Sequence, residues 1–295
     1  MQMFLVITNP NSAGGHSTVR AEKFKGLLER HSLPYNEIQS SSLSECLSLV
    51  KQELISEQYV AVIAIGGDGL IHHLLEPLTT ATVPLHIVPA GSGNDCARAL
   101  AMFKLSDSDR IKILTSGRAF TVDLGEIIAG SSTKLFLQVA SSGFDAQVND
   151  HANLHPKYPP SIKYLLSTLV LIWKAKPHEY SYGIDGADCS RLSAMLFLAA
   201  NGRNYGGGMK IAPHAKNDDQ QLELMYVLPA KPLELLLVFP LVYLGLHIKH
   251  PKVRFMSARS VELSGPGSIF ADGEQCANMP ALVRISDRKL TILGP

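Results

Sequence analysis

The sequence predicts an α/β domain with a parallel sheet, followed by a β-rich domain. In the first hundred residues, short β-branched runs alternate with longer amphipathic runs, which is the βαβα pattern of a parallel sheet covered by helices. Beyond residue 125, strand-like runs dominate. A chain of 295 residues can form two domains of ordinary size. We therefore predict domains at 1–124 and 125–295 with a cleft between them, the last strands being able to return to the first domain.

The individual runs define both domains. In the first domain, the strand-like runs are 4–8, 34–38, 60–65 and 85–88, and the helix-like runs are 19–31, 43–56, 70–78 and 94–101. In the second domain, the strand-like runs are 134–140, 192–200, 222–227, 253–255, 260–263, 281–285 and 290–293. Two strongly apolar segments of helical length, 162–174 and 232–247, interrupt these strands. Because ligands bind parallel sheets at the carboxyl ends of the strands, we expect a ligand site in the first domain.

Composition excludes several classes of protein. Apolar residues make up 46% of the chain and charged residues 18%, which is a globular composition. The 27 basic and 26 acidic residues nearly cancel, so no nucleic-acid partner is predicted. Four widely spaced cysteines and a start without a basic segment, the first cation being Arg20, favour a cytoplasmic location. The apolar segments are shorter than the roughly 20 residues of a transmembrane helix, so no membrane anchor is predicted.

Three glycine-containing turns follow predicted strands. The first carries N-P-N-S-A-G-G at 9–15, the second G-G-D-G at 66–69 and the third P-A-G-S-G-N-D at 89–95. Glycines allow close approach to a phosphate, and the helix that follows offers N–H groups and a positive dipole end. Asp68 would repel a bare phosphate, which favours a magnesium ion among the ligands. The G-G-D-G residues also fit a tight turn in which Asp68 caps the next helix, and Arg98 fits either a phosphate contact or an exposed helix cation.

The ordered series N-P-N-S, G-G-D-G and P-A-G-S-G-N-D resembles the diacylglycerol kinase catalytic-domain family, which includes bacterial lipid kinases and the sphingosine and ceramide kinases. The resemblance continues in V-D-L-G at 122–125, G-F-D at 143–145, G-G-G at 206–208, N-D-D at 217–219 and D-G-E at 272–274. It implies an α/β domain like that of NAD kinases and phosphofructokinases, followed by a β-sandwich domain, with ATP between them. The implied reaction is transfer of the γ-phosphate of ATP to a lipid hydroxyl, with diacylglycerol giving phosphatidic acid.

The resemblance also assigns roles to residues. The implied ATP-binding residues are Asn9, Pro10, Ser12, Gly66, Gly67, Asp68, Gly69, Gly91, Ser92, Asn94, Asp95 and Arg98. The implied magnesium network consists of Asp68, Asp95 and Asp123, and Lys216, Asp219 and Gln221 match a second, structural magnesium site. Asp272 matches a general base on the lipid hydroxyl, with Glu274 beside it. Apart from the family, Asp123 reads as a strand-end residue, Asp218 and Asp219 as a solvated turn, and residues 271–274 as a hairpin turn.

Three residues depart from the family pattern. Leu70 stands where a hydroxyl residue usually follows G-G-D-G, Gly14 stands where many members carry a lysine, and Gln220 replaces the glycine of D-D-G. Leu70 and Gly14 keep open the alternative of a non-catalytic nucleotide-binding regulator on the same fold. A second alternative is an NAD kinase-like small-molecule kinase, since NAD kinases and phosphofructokinases also carry G-G-D-G at a strand end, although G-S-G-N-D and D-G-E favour a lipid kinase.

The lipid acceptor implies contact with a membrane surface. Residues 151–178 and 247–259 contain no acidic residue and place lysines and arginines beside the two apolar helices, which suits peripheral binding to anionic lipid. Helices that pack on the β-domain and expose lysines to solvent would give the same pattern. A homodimer is compatible with the sequence, which does not require one.

Overall fold

The protein forms two compact units. The computed structural model describes residues 3–8, 16–40, 42–56, 58–155, 158 and 162–295. The first unit consists of Met1–Val122 together with Arg288–Pro295, and the second unit is Asp123–Asp287. The last eight residues therefore belong to the first unit, although the whole second unit precedes them in the chain.

The first unit is an α/β structure with a parallel sheet, as predicted. Its strands are β1 (Met3–Thr8), β2 (Tyr35–Gln39), β3 (Tyr59–Gly66) and β4 (Leu85–Pro89). Its helices are α1 (His16–Arg30), α2 (Leu43–Leu54), α3 (Asp68–Ala81), α4 (Asp95–Ala99) and α5 (Asp107–Ser116). The strands lie in the order β2–β1–β3–β4 and all pair in parallel. The carboxyl ends of β3 and β4 are consequently neighbours.

Helices α1 and α5 cover one face of this sheet. Phe24 and Leu28 of α1 and Ile111 of α5 pack with Phe4 of β1 in one buried cluster. Helix α5 was not predicted from the sequence, but its signals are present: a capping box between Ser106 and Asp109 at the start and a left-handed glycine, φ 67°, at the end. Burial of each large apolar side chain contributes roughly 1.5–3 kcal/mol.

The second unit contains two antiparallel sheets. Its strands are β5 (Ala119–Ala129), β6 (Ser132–Phe136), β7 (Val139–Gly143), β8 (His178–Ile184), β9 (Ser190–Ala194), β10 (Leu196–Ala200), β11 (Leu222–Val227), β12 (Val253–Ala258), β13 (Ser260–Ser264), β14 (Ser268–Ala271), β15 (Glu274–Asn278) and β16 (Ala281–Leu293). One sheet has the order β12–β11–β10–β7–β14–β15, and in the other β13 lies between β16 and β8, with β9 outside. Side chains from both sheets, among them Phe197 and Val261, share a buried core, so the arrangement is β-sandwich-like.

Three helices accompany the strands: α6 (Phe144–Leu154), α7 (Lys163–Leu171) and α8 (Pro232–Leu244). Short 3₁₀ turns, Ile172–Lys174 and Leu246–Lys249, follow α7 and α8. The two apolar segments are helical as predicted, whereas α6 was not predicted. Helix α8 contributes Leu235, Phe239 and Val242 to a cluster on the outer face of the six-stranded sheet, where Leu198 and Met225 lie. None of the helices in the described part of the chain is long and apolar enough to cross a membrane.

Strand β16 begins in the second unit and ends in the first. Its start pairs with β13, while Ile292 lies in parallel register with Leu85 of β4. The sequence predicted two separate runs here. Beside this strand, the ring Nδ1 of His86 lies 2.8 Å from the carbonyl oxygen of Leu293, and His86 is fully buried. Burial disfavours the charged ring and lowers the pKa of His86 to about 4.

Candidate nucleotide and acceptor sites

Two turns of the first unit pack against each other at the ends of β3 and β4. We call residues 66–69 and 91–95 the turn pair. Gly66 and Pro89 are in register, and the Ala90 N–H donates to the Gly66 carbonyl at 2.9 Å. A Cβ placed on Gly91 would lie 2.3 Å from the Gly67 Cα, so these two backbones leave no room for a side chain. Gly67 and Gly91 therefore allow the two turns to touch each other. From the sequence, these glycines were expected only to let a phosphate approach the backbone closely.

Polar side chains tie the turn pair together. The Asp68 carboxylate accepts a hydrogen bond of 2.9 Å from the Cys96 N–H of α4, which joins the two turns. Asn94 has a left-handed backbone, φ 57°. Its side-chain amide accepts from the Gly91 N–H at 2.8 Å and donates to the Gly91 carbonyl at 2.6 Å. Asp95, the first residue of α4, is buried. Several predicted ligand residues thus shape the loop itself.

The turn pair also places the start of a long helix at the sheet edge. Helix α3 begins at Asp68 with Gly67 as its N-cap and contains Gly69 in its first turn. A helix N-terminus presents N–H groups and the positive end of the macrodipole, which favour a phosphate. Leu70, which departs from the family pattern, is buried and would contact any Cβ added at Gly66, with its Cδ2 at 2.7 Å. The missing hydroxyl is therefore replaced by packing under the turn.

Arg98 is engaged within its own loop. Its Nε donates to the Gly93 carbonyl at 3.3 Å, and its guanidinium carbon lies 3.6 Å from the centroid of the Phe103 ring. A cation over an aromatic face gains a stabilising contact. Ser92, in contrast, is exposed on the turn. Asn9, Pro10 and Ser12 of the first turn lie outside the described residues, as does Gly14.

In the second unit, Asp272 lies in a two-residue hairpin between β14 and β15. Asp272 and Gly273 both have positive φ, 52° and 94°, as a type I′ turn requires. The buried Asp272 carboxylate accepts hydrogen bonds from the backbone N–H groups of three consecutive residues, with N···O distances of 2.8, 2.9 and 3.2 Å for Leu137, Gln138 and Val139 respectively. Glu274 opens β15 and is half-buried.

These hydrogen bonds explain an error in the predicted strands. The single strand expected over 134–140 is divided into β6 and β7, with a break at 137–138. At the break, the N–H groups bind a carboxylate instead of a neighbouring strand. Because all three donors are backbone groups, Asp272 is held in one orientation by the fold itself.

Asp123 is joined to the loop that was predicted to hold a second metal. Its carboxylate accepts from the Gln220 N–H at 2.7 Å, and its own N–H donates to the Asn217 carbonyl at 2.7 Å. Gln220 adopts a left-handed backbone, φ 59°, a conformation that glycine takes without strain. Asp219 accepts from the Gln221 N–H at 3.1 Å, and Lys216 lies in the same exposed loop.

The oxygen donors suit a hard divalent cation. Carboxylates at Asp68, Asp95, Asp123 and Asp219 and backbone carbonyls are the ligand types that magnesium prefers. Among the residues that the structure describes, no three His, Cys, Asp or Glu side chains gather as a metal centre. Magnesium in kinases is commonly held by one or two carboxylates together with the substrate phosphates, and the residues here fit that mode.

An apolar cavity lies on the outer face of the six-stranded sheet in the second unit. Its volume, including the opening to solvent, is about 830 Å³. The lining comes from α6, α7 and the turn after it, α8, β10, β11 and β12, and includes Ile172, Leu198, Met225, Val238 and Phe239. The mainly apolar lining of this cavity suits hydrocarbon chains. Sequence reasoning missed it because its members share no motif.

A hydrogen-bonded cluster surrounds Asp145, one of the polar residues that line this cavity. Tyr164 and Ser141 both donate to its carboxylate, and Asn149 Nδ2 donates to it at 3.2 Å and also to the Tyr205 hydroxyl. Burial raises the pKa of the Asp145 carboxyl above its usual range. The hydrogen bonds satisfy a carboxyl group that would otherwise be costly inside an apolar cavity.

Comparison with known proteins assigns the chain to a protein family. The diacylglycerol kinase catalytic domain matches residues 3–127, and the YegS C-terminal NAD kinase beta sandwich-like domain matches residues 138–294. The diacylglycerol kinase of Mycobacterium tuberculosis is 30% identical over 294 residues, which cover 98% of this chain and 94% of that protein. This chain belongs to the diacylglycerol kinase family. Membership implies a kinase that uses ATP as the phosphate donor.

Solved structures support the fold of this diacylglycerol kinase family member. A diacylglycerol kinase structure from Bacillus anthracis superposes with a TM-score of 0.72 at 15% identity, covering 100% of this chain and 97% of that chain. An NAD kinase from Archaeoglobus fulgidus, solved with ATP, superposes with a TM-score of 0.55 at 14% identity, covering 99% and 93%. At these identities the likeness concerns the fold alone.

Proposed function

We propose that this diacylglycerol kinase family member transfers the γ-phosphate of ATP to the primary hydroxyl of diacylglycerol, forming phosphatidic acid. The observation that carries this proposal is the apolar cavity on the same sheet as the Asp272 hairpin. A polar acceptor such as NAD has no use for an apolar lining, whereas the acyl chains of a diacylglycerol require one.

Strand β7 connects the proposed base to the cavity. Asp272 binds the N–H groups at the start of this strand, and Val139 faces the outer side of the sheet. Ser141 faces the same side because side chains alternate along a strand, and it donates to the cavity-lining Asp145. Two residues along a strand span about 7 Å. An acceptor with its glycerol hydroxyl at Asp272 would therefore have its acyl chains directed toward the cavity.

In the proposed reaction, Asp272 takes the proton of the lipid hydroxyl as that oxygen forms a bond to the γ-phosphorus. The bond from the γ-phosphorus to the bridging oxygen breaks, and ADP leaves. Phosphoryl transfer mainly requires positioning and charge neutralisation. The three backbone donors orient the Asp272 carboxylate. Glu274 lies beside the base.

The donor side of the reaction belongs to the turn pair. Its helix N-terminus and backbone N–H groups would bind the ATP phosphates, as the residues predicted from sequence imply. Asp68, Asp95 and Asp123 would hold magnesium directly or through water, and Lys216, Asp219 and Gln221 would hold a structural ion. When bound, magnesium neutralises charge on the phosphates.

A panel of acceptors tests the proposed function. Purified protein is incubated with radiolabelled ATP and detergent-dispersed diacylglycerol, monoacylglycerol, a long-chain base or NAD. We expect label in phosphatidic acid. Label in NAD alone would support the NAD kinase-like alternative, and transfer to no acceptor would support the non-catalytic regulator; either result overturns the proposal.

A cavity-filling substitution tests where the chains bind. Val238→Trp places a large ring in the cavity, so we expect the KM for long-chain diacylglycerol to rise about tenfold or more while a short-chain analogue is affected less. Ile55→Trp, at an exposed aliphatic position of the first unit, is the matched control. Equal kinetics for both variants and the wild type would exclude the cavity as the acyl site.

A further inference from the structure

The helices that cover the cavity expose apolar side chains on their opposite faces. Leu233, Leu237 and Leu244 of α8 are 58%, 66% and 64% exposed, and Leu241 is also exposed. Their spacing, i, i+4, i+8 and i+11, places them on one side of the helix. The inner side of α8 carries the cavity-lining Leu235, Val238, Phe239 and Val242. Helix α8 is thus apolar on both the side that faces the cavity and the side that faces solvent.

Helix α7 and the turn after it repeat this arrangement. Tyr164, Thr168 and Ile172 line the cavity, whereas Val170 and Trp173 are exposed, Trp173 by 62%. The turn containing Trp173 contacts α8. Because both helices cover the same cavity, their outer sides lie together on the side away from the sheet. We call these outer residues the α7–α8 surface: Ile162, Leu169, Val170, Trp173, Leu233, Leu237, Leu241 and Leu244.

Cations border the α7–α8 surface. The exposed residues Lys174, Lys176, Lys231 and Lys249 flank the two helices. Between residues 224 and 261 the only acidic side chain is Glu234, and Lys252 pairs with it at 2.7 Å. Apolar side chains surrounded by lysines match the acyl region and the anionic headgroups of a bilayer. A protein partner would not need the surface to be continuous with an apolar cavity.

We propose that the α7–α8 surface docks on a bilayer containing anionic phospholipid and inserts its leucines and Trp173 below the headgroups. Since the inner sides of the same helices line the cavity, docking brings bilayer lipid next to the acceptor pocket. The inference rests on the proposed lipid acceptor and assigns the surface through which that acceptor arrives.

The single tryptophan of the sequence, Trp173, reports directly on this surface. Protein is mixed with vesicles of phosphatidylcholine and phosphatidylglycerol at low salt, and tryptophan emission is recorded with and without lipids brominated on their acyl chains. We expect a blue shift and quenching by the brominated lipids, because both require the ring to lie among acyl chains. Sedimentation with vesicles without quenching would show docking by another face and overturn the proposal, as would a failure to sediment.

Matched variants locate the contact. Leu237→Asp should weaken vesicle binding about tenfold or more, since it replaces an inserted leucine by a charge. Ile55→Asp, at an aliphatic residue 80% exposed in the first unit, should bind like the wild type. Equal losses in both variants would contradict the assignment. Leu237→Ala should also weaken vesicle binding, but by less. This variant tests the same contact in case Leu237→Asp fails to fold.

Activity toward a detergent-dispersed short-chain diacylglycerol separates this inference from the proposed function. Leu237→Asp should retain that activity and lose activity toward vesicle-borne substrate. If the wild-type protein phosphorylates detergent-dispersed diacylglycerol but does not dock on vesicles, the docking role of the α7–α8 surface is wrong and the proposed function stands. Docking and quenching in a protein that phosphorylates no lipid would uphold the surface and overturn the kinase assignment.

Discussion

The two units build their candidate sites from different materials. In the first unit the turn pair is made of backbone and short polar side chains that are close in sequence, and these hold each other: Gly67 touches Gly91, and Asp68 reaches Cys96. In the second unit Asp272 and the cavity are assembled from strands and helices that are far apart in the chain. A site built from short continuous segments produces a recognisable sequence motif, whereas a site assembled from distant segments does not.

The largest effect should come from Asp272→Asn in the second unit. An amide cannot take the hydroxyl proton, so we expect kcat to fall about 10²- to 10⁴-fold, with ATP affinity largely retained. The amide also points a donor at backbone donors, which costs about 1–3 kcal/mol of stability. Steady-state kinetics, nucleotide titration and thermal unfolding separate these effects.

Asp188→Asn, at an exposed carboxylate of the same unit, serves as the control and should behave as the wild type. Unchanged phosphate transfer in Asp272→Asn would show that the assignment of the base is wrong.

Gly91→Ala tests the first unit by disturbing only the backbone contact between the two turns. The new Cβ would lie 2.3 Å from the Gly67 Cα, so the turns must separate. We expect ATP affinity to fall about tenfold to a hundredfold, with a loss of stability of a few kcal/mol. Isothermal titration with ATP and denaturant unfolding measure the two effects.

Gly26→Ala in α1 is the matched control, since no atom beyond its chain neighbours and the backbone of its own helix would lie within 4 Å of the new Cβ. It should bind ATP normally and gain up to about 1 kcal/mol of helix stability. Normal ATP affinity in Gly91→Ala would contradict this comparison of the two units, because it would show that ATP binding does not require the two turns to touch.

The patterns that repeat locally could be predicted from the sequence. The alternation of β-branched and amphipathic runs gave the parallel sheet, and the ordered turns gave the family. Strand ends and interruptions were less predictable, because a distant residue decides them: Asp272 takes the N–H groups at 137–139 and so divides one expected strand into two. The packing role of Gly67 could not be predicted either. Gly67 must be a glycine because Gly91 lies against it, and this contact exists only in the folded chain.

A smaller effect should appear in the pH dependence of the first unit. The folded pKa of His86, about 4, lies below its ordinary value of 6.5, so the unfolded chain binds the additional proton in this interval. Stability contributed by the neutral ring is therefore complete above pH 6.5 and declines as pH falls toward 4, by about 3 kcal/mol. Urea unfolding at several pH values across the interval measures the slope.

His86→Gln should remove most of that slope while keeping a polar group near Leu293. A variant with the same slope as the wild type would show that other groups cause the loss.

The smallest effect should come from Gln220→Gly in the second unit. Gln220 has φ 59°, which glycine adopts without strain, so we expect a gain in stability of up to about 1 kcal/mol. Gln220→Ala retains a Cβ and should show no gain. Equal thermal unfolding of both variants would indicate that the left-handed backbone is not strained here.

Strand β16 sets the order in which the protein can be completed during synthesis. The first unit receives its strand beside β4 from residues 288–295, which leave the ribosome only after all of Asp123–Asp287. Until then, the edge of β4 lacks a partner and His86 lacks the Leu293 carbonyl. An open strand edge is prone to pairing with other chains. A fragment ending at residue 122 would keep all three glycine-containing turns and still lack part of its sheet.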